Sequence, residues 1–259
     1  MLGLTRTRLL TVDDVPDDAA ARFAALLEQR ASRVPLQHLT GTAPFRHLEL
    51  AVGPGVFVPR PETEQLAGWA LAQVAGIAEP LVVDLGSGSG ALALAIAQEH
   101  PGARVVAVER DPAAVEWARH NARRRAAAGD TAVDVLEGDM TDTGLLRDLD
   151  GKVDVVVSNP PYVPDDAVLP REVAEHDPPL ALWGGPDGLD VVRGLLDTAA
   201  RLVRPGGGLG IEHADQQGSA LPALVRAHGC WVDVADHPDL AGRPRYTTAR
   251  RSPDGGIGD

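Results

Sequence analysis

Cysteine is nearly absent from this 259-residue chain: Cys230 stands alone, which excludes an internal disulfide and any multi-cysteine metal site. Lysine is as scarce, with Lys152 the only one among 24 basic residues. Aromatic residues make up 3%, so the core must be built mainly from Ala, Val and Leu. Positive charge is in deficit too. A formal net charge of −13 argues against an extended grip on duplex DNA or RNA, which works by neutralising phosphates, and leaves room for a local basic patch at most. No run of about 20 apolar residues is present, nor the apolar stretch of a secretory leader, so the expected setting is soluble and cytoplasmic, with no membrane contact. The eight histidines form no motif, and no metal is expected.

What is present is a change of rhythm near Pro80. Before it, Asp17 or Asp18 is expected to cap a helix over 19–33 with Phe23, Leu26 and Leu27 on one face. Residues 41–59 alternate around Phe45, Leu48, Leu50, Val52, Val56 and Val58, with Gly53-Pro54-Gly55 as the turn of a β-hairpin. Pro61 then opens a helix reaching about residue 75. After Pro80, apolar runs at 81–85, 104–109, 133–137, 153–158 and 209–213 read as strands. Helices are expected at 91–99, 112–128 and 189–202, the last followed by a turn at 204–208. Strand–helix alternation of this kind predicts an α/β fold, a mainly parallel sheet with helices on both faces. The expected division is a shortened helical segment at 1–40, the hairpin and a connecting helix at 41–76, the main domain at 77–251, and a disordered tail at 252–259.

Asp84-Leu85-Gly86-Ser87-Gly88-Ser89-Gly90 lies at a strand-to-helix turn, where glycines let backbone N–H groups approach a ligand. Glu109 ends the next strand, and a carboxylate there can accept hydrogen bonds from both ribose hydroxyls of a nucleoside cofactor. Gly86-x-Gly88-x-x-Ala91 also fits a dinucleotide fingerprint. Two acids favour S-adenosylmethionine over NAD. Asp84 would crowd a pyrophosphate but can anchor the amino group of a methionine moiety, and Asp139, after the third strand, can accept from an adenine amino group.

Asn159-Pro160-Pro161-Tyr162 directly follows the apolar run at 153–158, so it sits at the carboxyl edge of the sheet, where open α/β folds bind ligands. The Asn159 side-chain oxygen and the Pro160 carbonyl are two acceptors on a stiff frame, suited to both hydrogens of one planar –NH2 group. Tyr162 can lie against the flat face of that group. An amide or an exocyclic amine fits such a turn.

Together these motifs resemble the class I S-adenosylmethionine-dependent methyltransferases acting on nitrogen. Further segments narrow the resemblance to the HemK/PrmC family: Pro35 to Gly41, Phe57-Val58-Pro59-Arg60-Pro61-Glu62-Thr63-Glu64, Ala181-Leu182 with Gly184-Gly185, Asp187 to Asp190, and Asp239 to Arg243. The resemblance implies a Rossmann-like fold and methyl transfer from S-adenosylmethionine, leaving S-adenosylhomocysteine. It also implies a substrate, the glutamine N5 of the Gly-Gly-Gln motif of peptide chain release factors. The implied cofactor residues are Asp84, Gly86, Ser87, Gly88, Gly90, Glu109, Asp139 and Asn159. Asn159, Pro160 and Tyr162 are the implied catalytic residues, and Phe57, Arg60, Glu64 and Pro161 join them toward the substrate. For Arg60 and Glu64 a structural ion pair is an equal reading. Departures are a short helical N-terminus, Asp177 in place of a usual Glu, and Glu212-His213-Ala214 in place of Glu-x-Gly. Rival functions are methylation of a ribosomal-protein glutamine, adenine-N6 methylation of RNA or DNA, a non-catalytic S-adenosylmethionine-binding module, and, least supported, an NAD oxidoreductase.

Overall fold

The computed structural model describes residues 6–253, so the expected tail at 252–259 falls outside the described residues from 254 onward. The chain opens with α1 (Arg6–Leu9), α2 (Asp17–Ala31) and α3 (Leu36–Thr40), the last stopped by Gly41 in a left-handed conformation. Asp17 and Asp18 lie within the first turn of α2 and make no capping hydrogen bond; they act on the helix dipole instead. Phe23 and Leu27 are each about half exposed. Arg30 ties this helix to the rest of the protein through Glu172, at 2.7 Å.

The hairpin forms where the alternation places it, but its turn does not. Strands β1 (Thr42–Phe45) and β2 (Leu48–Ala51) pair antiparallel with Phe45 opposite Leu48, so the chain reverses at Arg46 and His47. Arg46 takes φ 50°, and its side chain explains how: the guanidinium binds the Glu99 carboxylate and the Glu64 carbonyl. Gly53-Pro54-Gly55 follows the hairpin rather than closing it. A Cβ on Gly53 would come within 2.7 Å of the Trp117 ring, whose Nε1 donates to the Pro54 carbonyl. That glycine serves close packing.

Next come α4 (Thr63–Val74), β3 (Leu81–Leu85), α5 (Ala91–Glu99), β4 (Arg104–Glu109), α6 (Pro112–Ala127), β5 (Val133–Glu137) and β6 (Val153–Ser158). Then follow α7 (Arg171–His176), α8 (Asp190–Leu202), β7 (Val203–Glu212), α9 (Ala220–Ala227), β8 (Trp231–Pro238) and β9 (Pro244–Arg251). Among the described residues, β3 to β9 form one sheet in the order β5-β4-β3-β6-β7-β9-β8. Its first five members run parallel, while β9 joins β7 and β8 antiparallel.

Both faces are covered, which is why the central strands are apolar almost throughout. Val83, Leu85, Val106 and Val156 point to one side, against Val192, Leu195, Leu196 and Ala199 of α8 and Leu221 and Val225 of α9. Their alternate neighbours Val82, Val105, Val155 and Val157 point to the other, against α4 and α5. The buried residues of α8 recur at three- and four-residue steps, the period of one helix face. The turn expected at 204–208 exists as a bulge inside β7: Val153 pairs with Val203, but Val155 pairs with Gly208. The chain leaves β3 toward β4 on one side and reaches β6 on the other. The carboxyl ends of β3 and β6 therefore flank the point where strand order reverses, the place such sheets bind ligands.

Candidate active site

The loop after β3 is shaped by backbone that side chains tolerate poorly. Gly86, Gly88 and Gly90 have φ of 79°, 55° and 87°. The Gly86 and Ser87 N–H groups donate to the Val108 carbonyl, and the Gly88 N–H donates to Glu109 Oε2 at 2.9 Å. Glu109 Oε1 accepts from the backbone of Arg110 and Asp111, while the capping of α6 falls to Asp111, which accepts from the Ala113 N–H. Three N–H bonds leave Glu109 a free acceptor position, since an ionised carboxylate offers about four. Asp84 is fully buried beneath the loop; Oδ2 accepts from Ala93 N at 3.1 Å and Oδ1 has no partner. Burial pushes its pKa up to about 7, against the Ala93 hydrogen bond. The hydroxyls of Ser87 and Ser89 are likewise buried without a partner. Across the loop, a Cβ on Gly86 would approach Met140 Cε to 2.6 Å, so the cavity narrows there by design of both residues.

The turn after β6 faces the same cavity. Its Asn159 donates from Nδ2 to Thr63 Oγ1, at 3.2 Å, across from the start of α4. Tyr162 is partly buried; burial first and the Glu212 charge second push its phenol well up. The Tyr162 carbonyl accepts from Gln217 Nε2 at 3.0 Å, and the same nitrogen donates to Asp187 O. Gly184 and Gly188 approach the turn so closely that added Cβ atoms would meet Pro161 O at 2.7 Å and Tyr162 O at 2.2 Å. Those glycines hold the turn from below. At the rim, Arg60 donates to Asp177 Oδ2 at 2.8 Å with its guanidinium 4.7 Å from the Phe57 ring centre. Burial pushes the Asp177 carboxyl up, and Arg60 opposes it.

A cavity of about 320 Å³ joins these parts: Gly86 to Ser89, Glu109, Asp139, Met140, Thr63, Asn159, Pro161, Tyr162, Phe57 and Arg60 all line it. Residues 68–175 match the methyltransferase small domain model, and residues 1–41 match the PrmC N-terminal domain model. A release factor glutamine methyltransferase of Mycolicibacterium smegmatis is 52% identical over 96% of this chain and 86% of its own length. The chain belongs to the release factor glutamine methyltransferase family.

Other relatives of the release factor glutamine methyltransferases set the range of the fold. A 4-amino-L-phenylalanine/4-methylamino-L-phenylalanine methyltransferase of Streptomyces pristinaespiralis is 42% identical over 84% of this chain and 74% of its own. Among solved structures, the Thermus thermophilus 16S rRNA N2 G1207 methyltransferase in complex with AdoMet and guanosine superposes with a TM-score of 0.56. It shares 25% identity, over 81% of this chain and 49% of that one. The cofactor of the family is S-adenosylmethionine, and the cavity fits it. The open acceptor position of Glu109 suits ribose hydroxyls, and the unpartnered Ser87 and Ser89 hydroxyls suit a polar tail. The volume lies in the ordinary range for a cofactor site.

Not every residue singled out from sequence reaches the cavity. Asp84 lies under its floor, where its carboxylate accepts from Ala93 N in the first turn of α5. Gly90 starts α5, and Pro160 is buried behind Asn159 and Pro161; neither lines the cavity. Asp139 does, but Oδ1 accepts from Thr141 N and Oγ1, and Arg110 stands 3.4 Å from Oδ2. Burial raises its pKa, and these contacts outweigh burial and hold it low. Glu64 is elsewhere: its Oε1 accepts from the Arg46 N–H in the hairpin turn, and Arg60 takes Asp177 as its ionic partner instead. Two residues of the cavity wall were given no role from the sequence: Thr63, although it lies inside the Pro-Arg-Pro-Glu-Thr-Glu segment, and Met140.

Proposed function

We propose that this chain transfers a methyl group from S-adenosylmethionine to the side-chain amide nitrogen of the glutamine in the Gly-Gly-Gln motif of peptide chain release factors. The observation that carries the reading is the Asn159 carboxamide. With Nδ2 given to Thr63, it offers Oδ1 as an acceptor on the wall of the cavity that Glu109 also lines.

S-adenosylmethionine, when bound, supplies a methyl group already activated by a sulfonium. Gly86, Ser87, Gly88 and Glu109 are the residues proposed to hold it, with Gly90 shaping the loop and Asp84 supporting the floor from beneath. An amide nitrogen is a poor nucleophile because its lone pair is delocalised into the carbonyl, so the protein's task is to position and polarise it. Asn159 Oδ1 accepts one of its hydrogens and stabilises positive charge growing on nitrogen, while Pro160, buried behind it, stiffens the turn. Tyr162 and Pro161 wall the amide plane and exclude water. Phe57 and Arg60 border the entrance. The methylated nitrogen is acidic enough to lose its proton without a strong base, so no histidine is assigned. Asp139 shapes the cavity wall through its hold on Thr141 and is the acid proposed to face an adenine amino group. The net charge of −13 supports a protein substrate over an extended nucleic-acid contact, and a substrate that works in translation supports a cytoplasmic setting.

The test is mass spectrometry of a purified release factor incubated with the protein and S-adenosylmethionine. The expected result is one added methyl group on the glutamine of Gly-Gly-Gln. Parallel arms offer a ribosomal-protein glutamine, adenine-containing RNA and a free aromatic amino acid bearing an amine. Methylation confined to one of those arms would replace the release factor as the substrate.

A further inference from the structure

Beside the cofactor cavity lies a second one of about 500 Å³, and the two share Arg60 and Val173. Its walls come from the end of α2, from Arg60 and from α7. Both acids in its lining are already engaged: Glu172 pairs with Arg30 at 2.7 Å, and Asp177 Oδ2 with Arg60 at 2.8 Å. Two cations are left over. Arg171 uses only Nε on Glu175, and Arg33 has no ionic partner among the described residues. On a chain of net charge −13, this is a positive spot.

Arg33 also stands where the backbone favours glycine. The chain leaves α2 through a turn in which Arg33 N donates to Arg30 O and Val34 N donates to Gln29 O. That pairing puts the residue after the helix cap in a left-handed conformation, the usual place of glycine. Arg33 takes it at φ 75°. The next helix, α3, also ends on a left-handed residue, and there it is a glycine, Gly41 at φ 77°. A side chain kept at a strained position points to a use for that side chain.

We infer that Arg33 and Arg171 form a recognition site for an acidic side chain of the protein substrate, carried close to the glutamine being methylated. The inference rests on the reading of a protein glutamine as the substrate. Because the two cavities meet at Arg60, one polypeptide reaches both: its glutamine enters beside Asn159, and the neighbouring surface passes Arg60 into the groove. The planar fork of a guanidinium matches a carboxylate. Asp177 Oδ1, buried in the groove wall without a partner, suits a peptide N–H, a donor that a phosphodiester backbone lacks. Pro35, Pro170 and Val173 add apolar contact. A polypeptide therefore fits this groove better than a nucleic acid does.

The experiment measures steady-state methylation of a release factor by wild type, Arg33→Gly, Arg33→Lys and Arg171→Ala, with thermal unfolding and S-adenosylmethionine affinity on each. In parallel, each acidic residue of the release factor around its Gly-Gly-Gln loop is replaced singly by its amide. Arg33→Gly is expected to raise Tm, because glycine takes the left-handed turn without strain. It is also expected to raise KM roughly 5- to 10-fold, the scale of one partly exposed charge-assisted contact. Arg171→Ala should raise KM by a similar factor, and Arg33→Lys should recover most of what Arg33→Gly loses. The value of kcat and the cofactor affinity should hold throughout. Neutralising one particular acid of the release factor should give the same loss, and that loss should not add to the loss from Arg33→Gly. Unchanged KM in Arg33→Gly and Arg171→Ala, losses that add for every acid, or a lower Tm in Arg33→Gly would overturn the inference. So would an unchanged KM beside a lost affinity for a single-stranded RNA oligonucleotide, which would assign the groove to nucleic acid. A wild type inactive on the release factor would overturn the substrate reading, and the inference with it.

Discussion

Replacing Asn121 by alanine should damage both stability and cofactor binding, although Asn121 touches no ligand. It is 1% exposed on α6, and it spends its whole amide on other backbones. Oδ1 accepts from Ala51 N at 2.8 Å, and Nδ2 donates to Ala51 O and Ser89 O, both at 3.0 Å. One side chain thus ties the hairpin, a helix and the glycine loop. Alanine leaves three backbone groups without that partner, each costing about 1–3 kcal/mol if it stays buried and unpaired. Partial relaxation and water entry lower the sum, so a loss of about 3–5 kcal/mol is expected. Urea unfolding by circular dichroism measures it, and calorimetry should show weaker S-adenosylmethionine binding because Ser89 O is released. A variant within 1 kcal/mol of wild type, on the scale where a single hydrogen bond is worth about that much, would refute the reasoning.

Other perturbations follow the same physics. Gly210→Ala places a Cβ 2.6 Å from the Trp69 ring and 2.7 Å from Leu66 Cδ1, an overpacked site expected to cost about 1–3 kcal/mol in a urea titration. Arg60→Ala strips the counter-ion from Asp177, whose side chain is 2% exposed; about 2–3 kcal/mol of stability should be lost, with Asp177 driven further toward its neutral form. Asp84 binds its proton up to about pH 7 when folded but releases it near 3.8 when unfolded. The folded state therefore holds the extra proton between those values. Its contribution is present below pH 3.8 and lost as pH rises through 7, on the order of 4 kcal/mol. Asp84→Asn should shrink the difference in unfolding free energy between pH 5 and pH 8, and an unchanged difference would show that another group sets it.

The strands β3, β4 and β6 were legible because both sheet faces are covered, which forces short apolar runs with clear ends; β5, an exposed edge, was legible from the alternation of Val133, Val135 and Glu137 with their neighbours. The opposite edge was not. Trp231–Pro238 and Pro244–Arg251 carry Asp, His, Thr and Arg, since β8 is covered less fully and β9 pairs antiparallel, and polar alternation beside Gly and Pro reads as loop. The hairpin turn was misread because Arg46 reaches φ 50° with help from Glu64 and Glu99, contacts that lie 18 and 53 residues away. Within the site, the glycine loop, Glu109 and Asn159 stood out because backbone geometry and strand ends confine those residue types. Thr63 did not, because what matters there is a partner on another element, Asn159. Gly184 and Gly188 were visible as motif members, but their purpose, close approach to the Pro161 and Tyr162 carbonyls, needed coordinates.

The most direct measurement is single-turnover methylation of a release factor by Asn159→Ala beside the wild type, with S-adenosylmethionine affinity measured on both. The expected result is cofactor affinity preserved and a rate lower by about 100- to 1,000-fold, the loss of one preorganised contact to the developing charge. A rate within a few-fold of wild type would contradict the account, because the substrate amide would then be held by something other than the turn after β6.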